Sequence, residues 1–163
     1  FTKRGVRIFH STSVPCLTNQ LSPGAKRCAF TGYRPQKMPF GFNESDPRCV
    51  DFKRRVKETI QALYDMGYRH FISGGALGMD MFAAEAVLEL RARHDRLFAQ
   101  ADITTATGHA YTRSAMFRRN HYLVDNADLL LAAYDGQPGG TAMTCELARR
   151  FDVPVMKIKP TVN

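Results

Sequence analysis

Two kinds of segment alternate along the chain. Short apolar runs bounded by turn residues read as buried strands: 27–31 around Cys28, Ala29 and Phe30, then 68–72, 129–133 and 155–158. Between them apolar residues return at helical spacing. Phe52, Val56, Ile60, Leu63 and Tyr64 mark one helix, and Phe82, Ala83, Ala86, Val87 and Leu90 a second. Met116, Phe117, Leu123 and Val124 mark a third, and Met143, Leu147, Ala148 and Phe151 a fourth. Asp46 followed by Pro47 is an N-cap and first-turn pair, and Gly67 stops the helix it opens. Ser114 is expected to cap the third helix and Thr141 or Thr144 the fourth. Residues 97–101 read as a helical end and 103–106 as a short strand. Strands alternating with helices predict an α/β domain with an open, mostly parallel sheet and helices on both faces.

The strand ends open into turns suited to a ligand. In 73–85, SGGALGMDMFAAE, an apolar strand end gives way to glycines and then to a helix start, where unpaired N–H groups and the dipole favour a phosphate. No Gly-Lys-Ser/Thr follows, so this is not a P-loop. A second such turn, YDGQPGGT at 134–141, follows the most continuous apolar run, LLLAA. In parallel sheets ligands bind beyond the carboxyl ends of the strands, so 31–42, 73–80, 107–113 and 134–141 should share one rim. The ligand-binding candidates on it are Thr31, Gly32 and Arg34; Gly74, Gly75, Gly78 and Asp80; Tyr111; and Asp135, Gly136, Gly139, Gly140 and Thr141. A tight turn with no ligand is the plainer reading of either glycine stretch alone. Two on one rim favour a nucleotide-type small molecule.

The 163 residues, 44% of them hydrophobic, suffice for one globular domain with its own core. The net charge of +8 is unevenly placed: residues 1–43 carry seven basic residues and no acid, which leaves the remainder near neutral. Nucleic acid is therefore not expected as a partner. Residues 1–26, rich in Ser, Thr, Lys and Arg, are expected to be a basic extension, and 27–163 the single domain. The extension's composition also fits an organellar presequence, but an arm or a segment against a neighbouring subunit is preferred, and a homo-oligomer is compatible with that. Cys16, Cys28, Cys49 and Cys145 show no metal spacing and read as free thiols of a cytoplasmic protein. No metal, no cofactor and no membrane association is expected.

Three blocks in order carry a family resemblance: TGYRP at 31–35, SGGALGMDMFAAEAVLEL from Ser73, and YTRSAMFRRNHYLVDNADLLLAAYDGQPGGTAMTCELA from Tyr111. Over about residues 27–159 the chain resembles the SLOG superfamily in its YpsA-like branch, which is related to the Lonely guy and DprA-like proteins. The resemblance implies a Rossmann-like fold and a nucleotide or nucleotide-derived ligand at the Gly-rich rim, with a sensor or regulatory role. Lonely guy enzymes split a nucleoside 5′-monophosphate into base and ribose 5-phosphate. Their arginine position is matched by Arg119, and their Pro-Gly-Gly-x-Gly-Thr-x-x-Glu turn by Pro138, Gly139, Gly140 and Glu146, with Ala142 and Met143 in place of Gly and Thr.

Such a hydrolysis builds positive charge on the ribose, which a carboxylate can stabilise while an arginine holds the phosphate or the departing base. Glu146 and Arg119 are the expected catalytic pair of that alternative; a solvated helix residue and a surface ion pair are their plainer readings. A DprA-like DNA binder is the other alternative. The resemblance also implies a further strand between the central helix and residues 97–101. Arg93–Arg96 leave no room for it, since a parallel crossover needs about a dozen residues or more. Either the strand is lost or a segment is missing from the sequence, and the second is expected.

Overall fold

The computed structural model describes residues 6–9, 24–93, 104–106 and 113–161. Its strands are β1 (Val6–Phe9), β2 (Lys26–Gly32), β3 (Tyr68–Ser73), β4 (Thr104–Ala106), β5 (Leu129–Ala133) and β6 (Val155–Ile158). They form one parallel sheet in the order β4–β1–β3–β2–β5–β6. The helices are α1 (Pro47–Asp65), α2 (Met79–Arg93), α3 (Arg113–Asp125) and α4 (Gly140–Arg150). The open parallel α/β architecture with both faces covered is the one expected.

Side-chain alternation along the strands divides the core. Cys28, Phe30, Leu129 and Leu131 face α1 and α2, where they meet Phe52, Val56, Ile60 and Phe82. Ala29, Ile72, Leu130 and Ala132 face α3 and α4, against Leu123, Val124, Cys145 and Ala148. Helix α1 starts as its sequence dictates: the Asp46 carboxylate accepts from the Arg48 amide at 2.8 Å and Pro47 follows. It buries Cys49, Phe52, Val56, Ile60 and Leu63 along one stripe.

The structure departs from the sequence reading in several places. Residues 6–9, expected in an extension outside the domain, form β1, which pairs with β3 on one side and β4 on the other. The position beside β3 is thus filled from the start of the chain rather than from the stretch after α2. Residues 94–103 lie outside the described residues. Helix α4 is capped by Gly139 with no side-chain hydrogen bond; Thr141 and Thr144 instead face the sheet, and the Thr144 hydroxyl donates to the Gly140 carbonyl at 2.9 Å. This phase turns Met143 and Phe151 outward, 62% and 53% exposed, where burial was expected. Phe117 on α3 is likewise exposed. Cys28, Cys49 and Cys145 are buried free thiols, and Cys16 lies outside the described residues. No described helix is long and apolar enough to cross a membrane.

Candidate functional site

From β2 the chain crosses through α1 to β3 on one side, and later returns to β5 and β6 on the other. The direction of winding therefore reverses between β2 and β5, and the crevice beyond their carboxyl ends is where such sheets bind ligands. A cavity of about 860 Å³ opens there. Its floor and β2 wall are Thr31, Gly32, Tyr33 and Arg34, with Gln36 and Lys37 beyond them. Helix α2 contributes Asp80, preceded by Ala76; α3 contributes Met116, Phe117, Arg119, Asn120 and Leu123; α4 contributes Gly140, Thr141, Met143 and Thr144.

Tyr33 ties the rim together. Its amide donates to the Ala133 carbonyl and its carbonyl accepts from the Met79 amide, each at 3.3 Å. Its hydroxyl is bonded to the Asp135 carboxylate and accepts from the Gln137 amide at 3.1 Å. The bond from Tyr33 holds the Asp135 carboxyl below its usual range, while burial first and Asp135 second push the Tyr33 phenol up. Lys37 spans the same two loops: its ammonium donates to the Pro138 carbonyl at 2.8 Å and lies over the Tyr33 ring. Gly78 has φ +93°, and a side chain there would run into the Tyr33 carbonyl, so glycine lets α2 begin hard against the first loop.

The deep end holds an unusual pair. Asp80 is 4% exposed at the start of α2, and burial pushes its carboxyl up to about 6, opposed by the nearby Arg119 and by the Ala76 amide. The Ala76 N–H donates to Asp80 Oδ2 at 3.3 Å. Arg119 Nη1 donates to the Gly74 carbonyl at 3.4 Å, and its Nε has no hydrogen-bond partner among the described residues. A Cβ on Gly74 would lie 2.8 Å from Asp80 Oδ2 and 3.1 Å from Arg119 Nε. Gly74 is therefore the gap through which carboxylate and guanidinium approach one another.

The structure brings Thr31, Gly32, Arg34, Asp80, Arg119, Gly140 and Thr141 onto this cavity. Gly74 and Gly78 back it without lining it, and Asp135 serves as the loop clamp. Gly75, Gly136 and Gly139 lie on the rim loops outside its lining, and Tyr111 falls outside the described residues. Lys37, Gln36, Met116, Phe117, Asn120 and Met143 are lining residues not singled out from the sequence as ligand contacts. The spacing of Met116, Arg119, Asn120 and Leu123 along α3 was a usable signal, since it places them on one face.

Glu146 is not part of the site, and the expected Arg119–Glu146 pair does not form. Thr141 must face the sheet, and Glu146 lies five residues on, about 140° round the helix. It lines a separate depression with Tyr134, Cys145 and Lys157, and pairs with Arg149 and, at 3.6 Å, with Arg150. These partners hold its carboxyl below the usual range. Glu146→Gln should therefore leave ligand affinity at the main cavity within about twofold and the urea midpoint unchanged, because exposed pairs contribute little to stability. A large loss of affinity in titration calorimetry would mean that Glu146 reaches the ligand after all.

The chain is similar to several known proteins. A family model described as the YspA SLOG family matches residues 28–97. The UPF0398 protein of Bacillus pumilus is 26% identical over 82% of this chain and 87% of its own length. The UPF0398 protein YpsA of Bacillus subtilis is 25% identical over 71% and 79%. Among solved structures, the DNA processing protein A of Helicobacter pylori superposes with a TM-score of 0.57 at 17% identity, covering 82% of this chain and 65% of its own. That protein's structure was determined for its single-stranded DNA binding mode, so the expectation that nucleic acid is no partner does not stand: the same fold carries such binding, and a near-neutral body is no argument against it. The blocks at 31–35, 73–90 and 111–148 thus belong to a chain that is similar to the YspA SLOG family over residues 28–97 and to the UPF0398 proteins, YpsA among them, over 71–82% of its length.

Proposed function

We propose that the cavity at the switch point binds a nucleotide-type ligand and that the chain acts as a ligand-responsive protein. The observation that carries this reading is the charge around the cavity: among the described residues, Arg34, Lys37 and Arg119 line it with one carboxyl, Asp80, which is buried and holds its proton up to about pH 6. Cations of that number beside a glycine turn at a helix start suit a phosphate, and the apolar surfaces of Met116, Phe117 and Met143 suit a base. Binding without turnover is favoured over hydrolysis because Glu146 points away and Ala142 and Met143 replace the Gly and Thr of the hydrolase turn. A second reading, single-stranded DNA across the same rim, is supported by the shared fold of the DNA processing protein A.

The test is a thermal-shift panel of nucleoside monophosphates with a short oligothymidylate. Bound ligand stabilises the native state by mass action and raises the melting temperature. Arg119→Ala should weaken binding by about 1.5–3 kcal/mol, the scale of a hydrogen bond to a charged group. Because Arg119 also holds the Gly74 carbonyl, the exposed Lys37→Ala is the companion variant. Affinity untouched by both substitutions would place the site elsewhere. Oligonucleotide binding that falls steeply with salt and outlasts mononucleotide competition would favour DNA. Release of free base by the wild type would restore the hydrolase.

A further inference from the structure

We infer that the outer end of the cavity is a base-recognition subsite that selects a 6-aminopurine; this rests on the nucleotide reading above and deepens it. The outer end is built differently from the rest. Phe117 on α3 is 54% exposed and Met143 on α4 is 62% exposed, although both line the cavity. Large apolar side chains left open to solvent on the walls of one cavity mark a surface meant to be covered. Phe117 is held in place: the His121 ring packs edge-on against it at 4.4 Å, so the phenylalanine offers a pre-set platform at low entropic cost. A flat aromatic occupant suits a cavity lined by both a phenylalanine ring and a methionine thioether, because a base stacks on the ring and the polarizable sulfur adapts to its outline.

The polar group beside the platform decides which base. Asn120 lines the cavity one turn beyond Phe117, and among the described residues its amide has no hydrogen-bond partner. An asparagine amide carries one donor edge and one acceptor edge, which match the N7 acceptor and N6 amino donor of adenine together. The 6-oxopurines present two acceptors there and call for two donors, as from an arginine. The cavity's arginines are turned to other partners: Arg119 to the Gly74 carbonyl, and Arg34 towards the Met116 sulfur at 3.8 Å. Thus Phe117 and Met143 supply the stacking and Asn120 reads the edge, while the cations that line the same cavity, Lys37 among them, hold the phosphate.

The experiment is titration calorimetry of the full chain with AMP, IMP and ribose 5-phosphate, on wild type, Asn120→Ala and Phe117→Ala. The wild type should prefer AMP over IMP by about tenfold or more, the scale of one bidentate amide contact. Asn120→Ala should remove that preference with little effect on IMP. Phe117→Ala should weaken AMP and IMP alike by about 5- to 100-fold and leave ribose 5-phosphate unchanged. Phe117 is exposed, so its loss does not threaten the fold. Equal affinity of the wild type for AMP and IMP, or a preference that survives Asn120→Ala, overturns the subsite while the nucleotide reading stands. Absence of binding by all the phosphorylated probes overturns both.

Discussion

Gly32→Ala is expected to be the most destabilising single change at the site. Gly32 ends β2 directly beneath the start of α2 and beside β5. A methyl built there would lie 2.6 Å from Met79 Cγ and 2.7 Å from Ala133 Cβ, with Met79 Cβ nearer still. Met79 and Ala133 are both fully buried, and Met79 is anchored by its amide on the Tyr33 carbonyl, so none of these atoms can withdraw without moving a helix or a strand. Overpacking of this kind costs about 1–3 kcal/mol and occasionally more; a clash against backbone-adjacent atoms should fall at about 3 kcal/mol or above. Urea denaturation would read it as a lower midpoint at an unchanged slope. The control is Gly140→Ala, where a Cβ meets nothing within 4 Å and stability should hold or rise slightly. Equal midpoints for Gly32→Ala and the wild type would mean that α2 is not seated on β2 as described.

The second large effect is a dependence of stability on pH that belongs to Asp80. In the unfolded chain its carboxyl loses its proton near pH 4; in the folded protein burial keeps the proton on until about pH 6. Between these values the folded state binds more protons than the unfolded state, so stability falls as pH rises through the window and is level above it. The loss amounts to about 3 kcal/mol. Asp46, Asp51, Asp128, Asp135 and Glu146 are shifted the other way, so their stability is lost as pH falls below the usual carboxylate range, outside this window. Asp80→Asn keeps an oxygen for the Ala76 amide and removes the proton. Its stability should therefore stay level from pH 4.5 to 6.5, in the window set by the shifted carboxyl, while the wild type declines. Parallel curves would show that Asp80 is ionised from the start, as the nearby Arg119 and Arg34 favour.

What the sequence by itself determined is local and periodic. Strand and helix positions followed from apolar spacing because burial on one face demands it: α1 buries the Phe52, Val56, Ile60 and Leu63 stripe read from the pattern. Its start at Asp46–Pro47 needed only neighbours in the chain. That the rim loops after β2, β3 and β5 share an edge followed from parallel strand order, itself a consequence of strand–helix alternation. The rest was decided by contacts between distant residues. The phase of α4 was set by Thr141, Thr144 and Ala148 packing on the sheet, which turned Glu146 out and brought Met143 to the cavity. Period alone leaves that phase open, because α4 offers both a polar threonine stripe and an apolar one, and only the fit against Leu130 and Ala132 chooses. Lys37 meets Pro138 across 101 residues and Tyr33 meets Asp135 across 102, pairings that no local window contains. Gly32, which reads as a turn glycine, proved to be a packing glycine, because the reason for it is a helix 47 residues further on. The place of Val6–Phe9 between β3 and β4 was equally beyond a local reading, since a strand's partners are set by which sheet edge is open when it arrives.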